Sequence, residues 1–178
     1  MLLNAGAEVD RVSSDGESPL IIASNNGHKD VVRVLLKVGG ARVDQESHGT
    51  TPLFVAIQEG HANVVEVLLN EGIEVGARVV DIARNGVTPL ILASNRGNAE
   101  VVTMLLKAGA TVSGVGDGGV TPLIVASVLG HTEIVRLLLQ NGAPTDQAMS
   151  NGGTPLLAAR QKGHAEIAKI LTQHGAVQ

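Results

Sequence analysis

A chain of 178 residues that is 44% hydrophobic, with 13 Lys+Arg against 17 Asp+Glu and a net charge of −4, has the apolar content of a globular core. It has no cysteine, tryptophan or tyrosine and one phenylalanine, Phe54. That excludes disulfide staples and thiolate metal sites, and leaves no aromatic platform for stacking bases or caging a quaternary ammonium group. No two basic residues are adjacent, no apolar run approaches the roughly 18 residues of a membrane span, and no secretory leader pattern opens the chain. The expectation is an intracellular, cytoplasmic protein that binds neither nucleic acid nor membrane.

Taken in chain order, the elements repeat. Pro19, Pro52, Pro89, Pro122 and Pro155 are spaced by 33, 37, 33 and 33 residues, each preceded by Ser or Thr (Ser18, Thr51, Thr88, Thr121, Thr154) and followed by Leu. Eight residues after each proline stands a glycine (Gly27, Gly60, Gly97, Gly130, Gly163), followed by His28, His61, His131 and His164, with Asn98 as the exception. A second glycine series, Gly6, Gly39, Gly72, Gly109, Gly142 and Gly175, carries the same single four-residue interruption. Internal periodicity of this kind marks a repeat architecture.

Each unit reads as two short helices and a turn-rich segment. The Ser or Thr is an N-cap, because its hydroxyl accepts an orphan amide of the first turn. Proline fits the first helical position, where no amide is needed. The helix closes about eight residues on at Gly27 and its equivalents, which take the left-handed conformation. A second helix carries an apolar face too wide for a two-helix seam, Val31, Val32, Val34, Leu35 and Leu36 in the first unit, and is expected to end at Gly39 and its equivalents. Asp15-Gly16, Asn85-Gly86 and Asn151-Gly152 mark hairpin-type turns between units. One unit cannot bury its own apolar face, so units must stack.

These residues carry a family resemblance. Gly-x-Thr-Pro-Leu, then Ala, Gly-His, Val-Val-x-Leu-Leu and Gly-Ala at a 33-residue period is similar to the ankyrin repeat, over nearly the whole chain. The resemblance implies an all-α solenoid of stacked helix-turn-helix units with finger-like β-turns or hairpins, forming a single domain over 1–178. Residues 1–12 read as the remnant of a truncated repeat, since Met1 aligns with Val34 and Met104; on that reading the first full unit exposes a face built to be covered. Five repeats follow at 13–45, 46–82, 83–115, 116–148 and 149–178, with the extra residues in a finger within 73–87. The last repeat is cap-like: Thr172 and Ala168 replace Leu139 and Val135, and its first helix carries Arg160, Gln161 and Lys162. One departure is systematic. The family often has His after Thr-Pro-Leu, where this chain has Ile21, Phe54, Ile91, Ile124 and Leu157.

Chemistry-bearing residues read as structural. The Gly-His pairs follow the repeat, so their rings form a ladder, each bonded to a neighbouring turn, and do not converge as zinc ligands must. His48 and His174 stand outside the series and read as solvated. Gly114-Val115-Gly116-Asp117-Gly118-Gly119 satisfies the dinucleotide-binding spacing literally, but the helix opens later, at Thr121-Pro122, so it reads as a glycine-rich finger. Ser24, Ser94 and Ser127 have no base and orienting acid in phase. No cofactor and no catalysis are expected.

What remains is recognition of a protein partner by a monomer. The resemblance places partners in the groove made by the fingers and first helices. The positions matching the family's variable first-helix sites are Asn25 and Asn26, Gln58 and Glu59, Asn95 and Arg96, Val128 and Leu129, and Gln161 and Lys162. Only the fourth pair is apolar. Val128 and Leu129, flanked by Arg96 and Lys162 and extended by Val120, form an expected contact patch, with Arg78 and Val79 of the longer finger as further candidates. The leading reading is a non-catalytic adaptor or scaffold module; the alternative is a substrate-recruiting ankyrin segment of a larger multidomain enzyme.

Overall fold

The computed structural model describes residues 8–74 and 86–177, with side chains through 71 in the first span. Among the described residues there are ten α-helices and no strand. They fall into two compact units divided after Arg84. The first unit holds α1 (Pro19–Asn25), α2 (Lys29–Lys37), α3 (Pro52–Gln58) and α4 (Ala62–Glu74). The second holds α5 (Pro89–Arg96), α6 (Ala99–Lys107), α7 (Pro122–Leu129), α8 (Thr132–Gln140), α9 (Pro155–Gln161) and α10 (Ala165–Gln173). Within each unit the odd-numbered first helices pack in sequence on one another and the even-numbered second helices do the same, so the helix pairs are stacked repeats of an all-α solenoid.

Local chemistry sets the helix boundaries. In all five first helices the capping hydroxyl accepts the amide three residues on: Ser18 from Ile21 at 3.3 Å, Thr51 from Phe54, Thr88 from Ile91, Thr121 from Ile124 and Thr154 from Leu157, each at 3.2 Å. Proline is then the first helical residue. Gly27, Gly60, Gly97, Gly130 and Gly163 all have positive φ and release the chain into the second helix.

Within each unit the core lies between successive pairs. The first-helix position two residues after proline is buried at Ile21, Phe54, Ile91 and Ile124 but 44% exposed at Leu157, in the last described pair. On the opposite face the order reverses: Val31 is 49% exposed, while Val64, Ile134 and Ile167 in α4, α8 and α10 are at most 1% exposed. Apolar residues where the family often has histidine thus fill the stack. Three ion pairs tie neighbouring second helices together, Lys29–Glu66 at 3.3 Å, Lys37–Glu71 at 3.2 Å and Arg136–Glu166 at 2.8 Å. The Thr172 hydroxyl of the last pair donates to its own helix at the Ala168 carbonyl, 2.9 Å away. No described helix is long and apolar enough to cross a membrane.

Three expectations need refinement or correction. α2 ends beside Gly39 as expected, at Lys37 with Val38 as its C-cap, but the left-handed residue of the turn is Gly40, with φ of +69°. Gly39 is needed for space instead, because a Cβ there would stand 2.6 Å from the Val9 side chain and 2.8 Å from the Leu35 carbonyl. Gly72 does not end α4, which runs on to Glu74. At Gly109, Gly142 and Gly175 the turn is completed by an alanine that is 6–8% exposed (Ala110, Ala143, Ala176). Gly72 is followed in the sequence by Ile73 in place of that alanine, and a helix-interior glycine costs only about 1 kcal/mol. Third, His48 is solvent-exposed but not isolated. Its ring lies against Gly16, and His48-Gly49, with φ of +50° and +71°, forms a two-residue turn closed by reciprocal Ser47–Thr50 hydrogen bonds of 2.9 Å. Two positive φ values in succession define the turn that matches strand twist.

The buried serines form one register on the first helices. Ser24, Ser94 and Ser127 are fully buried, and their hydroxyls have no hydrogen-bond partner. An unpaired buried hydroxyl costs about 1–3 kcal/mol, and alanine is the better helix former. Ser127→Ala is therefore expected to raise stability by about 1 kcal/mol, read from urea unfolding. A loss of stability would show that the hydroxyl is engaged in solution.

Candidate protein-binding surface

The second unit aligns the C-terminal ends of three first helices. α5 ends at Asn95-Arg96-Gly97, α7 at Val128-Leu129-Gly130 and α9 at Gln161-Lys162-Gly163. The turn of each pair is laid against that of the next. The His131 ring covers Gly97 so closely that a Cβ there would be 2.7 Å from Cε1, and the His164 ring covers Gly130 at the same distance. His164 Nε2 also donates to the Val128 carbonyl, 3.1 Å away. In the first unit His61 does likewise, its ring over Gly27 and its Nε2 donating to the Asn25 carbonyl at 3.0 Å. The rings of His61 and His164 are therefore bonded to neighbouring turns, as the ladder reading requires. Their position is that of a helix N-cap, yet neither His131 nor His164 caps its helix. Asn98, the exception in the series, does cap: its side chain accepts the Val101 amide at 3.1 Å. Among the described residues no three His, Asp or Glu side chains come together as a metal site would need.

This stapling sets the surface. Leu129 is 44% exposed at the end of α7. Val128 is half-buried, with its carbonyl engaged by His164. Asn95 and Arg96 on one side and Arg160, Gln161 and Lys162 on the other are exposed. The expected patch thus consists of one exposed leucine between polar and cationic helix ends. Val120 is not part of it. It is half-buried at the base of the finger before α7, and the eight residues of α7, about 12 Å of helix, separate it from Leu129.

Other candidates lie elsewhere. Gln58 is half-buried and Glu59 exposed at the end of α3, and the Gln58 amide donates to the Glu59 carboxylate at 3.1 Å, within the first unit. Arg78 and Val79, and most of the 73–87 finger, lie outside the described residues. The Gly114–Gly119 run is a finger, with a single 3₁₀ turn at Asp117–Gly119, positive φ at Gly118 and Gly119, and α7 opening only at Pro122. A hollow of about 390 Å³ in the first unit is lined by Leu36, Ala41, Val43, Arg42, Asp44 and Glu71. Its charges are engaged, Arg42 with Asp44 at 3.6 Å and Glu71 with Lys37 at 3.2 Å.

Several exposed apolar residues escaped the sequence reading, among them Ile22, Val38 and two in the fingers. Val115 is 51% exposed in its finger, as is Val12 at the same register, seven residues before proline. Counting back from each proline would have found them. Arg160 reads in sequence as part of a polar cap, but it shares the α9 end with Lys162.

The family model for ankyrin repeats, in three copies, matches residues 1–79, 76–148 and 112–178. The chain belongs to the ankyrin-repeat family. Ankyrin repeats are generally protein–protein interaction modules and typically non-catalytic. No curated protein matches the chain.

Proposed function

We propose that the chain is a non-catalytic adaptor or scaffold module that acts as a monomer inside the cell and holds a protein partner on the face made by the fingers and first helices of its second unit. The observation that carries this reading is Leu129. It is 44% exposed at a helix end whose two neighbours present only polar and cationic side chains. An apolar residue rimmed by charge is an interaction feature. The surface has no tryptophan or tyrosine, the residues that dominate tight hot spots together with arginine, so recognition is of moderate affinity.

The test compares the intact chain with a Val128→Ser/Leu129→Asn variant in affinity capture, with retained proteins identified by mass spectrometry. Proteins held by the intact chain should be lost by the variant, at least about tenfold, with unfolding free energy lowered by no more than about 1 kcal/mol. Equal retention by both would reject this surface. Comparable loss in a variant that has unfolded would reject the separation of binding from stability.

A further inference from the structure

Three cations stand at the aligned helix ends of the second unit: Arg96 on α5, and Arg160 and Lys162 on α9. All are exposed, and none has an ion-pair partner among the described residues; the same holds for Arg11, Lys107 and Lys169, whereas Lys29, Arg33, Lys37, Arg42 and Arg136 are paired. A helix C-terminus favours a nearby base, but that does not account for this set. The ends of α1, α3 and α7 carry Asn25-Asn26, Gln58-Glu59 and Val128-Leu129 instead. The acids of the same unit's fingers, Asp117 and Asp146, precede α7 and α9, at the far end of those helices from Leu129. Along the first-helix ends the order is therefore cation, exposed leucine, cation, held in register by His131 on Gly97 and His164 on Gly130, while Glu100, Glu133 and Glu166 lie in the first turns of the second helices that follow.

Neighbouring packed helices lie about 8–10 Å apart. A polyproline-II segment has three residues per turn and rises about 3.1 Å per residue, so it returns a side chain to the same face about every 9 Å. A β-strand alternates faces at every residue, so it cannot present residues three apart on one side. Building on the partner-binding reading above, we infer that this surface recognises an acidic polyproline-II segment with an aliphatic residue between two carboxylates, spaced acid-x-x-aliphatic-x-x-acid. The aliphatic side chain meets Leu129, and the two carboxylates meet Arg96 on one side and Arg160 with Lys162 on the other.

The test uses the full chain and a labelled synthetic peptide, Glu-Pro-Pro-Leu-Pro-Pro-Glu, followed by fluorescence anisotropy. It should bind at least about fivefold more tightly than the same peptide with Gln in place of Glu, and more tightly than a shortened Glu-Pro-Leu-Pro-Glu. Raising ionic strength from about 0.1 M to about 1 M shortens the screening length from about 10 Å to about 3 Å and should remove that preference. Arg96→Glu/Lys162→Glu should weaken binding at least about tenfold, and Leu129→Asn about fivefold, each with an unchanged circular dichroism spectrum. The inference is overturned if the Gln or the shortened peptide binds as well as the Glu peptide, if charge reversal leaves binding intact, or if the Glu peptide does not bind. If proteins captured by the chain are still lost on Val128→Ser/Leu129→Asn in any of those cases, only the partner chemistry falls and the surface stands.

Discussion

Replacing Ile124 with alanine is expected to lower the unfolding free energy by about 3–4 kcal/mol, whereas Leu157→Ala lowers it by less than about 1 kcal/mol. The two residues occupy the same repeat position, two after the helix-opening proline, on helices with the same cap. Ile124 is 1% exposed and Leu157 44% exposed. Truncating a fully buried isoleucine loses its transfer free energy and leaves a cavity that close-packed neighbours fill only in part. Truncating Leu157 removes methyl groups that already meet water. Urea denaturation followed by helical circular dichroism measures both. Comparable losses at the two positions would mean that the stack does not set burial, because local helix chemistry is nearly the same at both.

Much of this fold was legible because its rules are local. A hydroxyl before Pro-Leu caps the helix it precedes, and a glycine eight residues on needs only a positive φ. Neither depends on distant chain, so counting residues was enough. Counting failed where a distant group decided. Gly39 and Gly109 align by number, yet the Val9 side chain occupies the space beside Gly39, and Gly40 makes the turn. Gly72 aligns with them as well, but the residue after it is not a small one, and α4 continues. His48 looked solitary because its partner, Gly16, is one finger away. At the candidate surface the exposure of Leu129 could be read from one apolar pair among polar ones. The place of Val120 could not, since a residue just before a helix lies a helix length from the residue at its end. Nor could the set of unpaired cations, because pairing depends on which side chains the stack brings within reach.

Gly130→Ala is expected to cost about 2–3 kcal/mol and Gly163→Ala about 1–2 kcal/mol, although both glycines end a first helix with nearly the same backbone, φ of +80° and +77°. The shared part is the left-handed conformation, about 1–2 kcal/mol for a residue with a Cβ. The difference is the neighbour. A Cβ at Gly130 would lie 2.7 Å from His164 Cε1, whereas at Gly163 no atom comes within 4 Å. The imidazole must therefore swing away in the first variant, and its 3.1 Å hydrogen bond to the Val128 carbonyl goes with it, about 1 kcal/mol more. His164→Ala in the Gly130→Ala background should then cost little further, because the ring has already lost its place. A double-mutant cycle on urea midpoints measures this coupling. Additive losses would show that the ring does not rest on the glycine, and the same cycle at Gly97 and His131 would decide whether the second staple across the three helix ends is real.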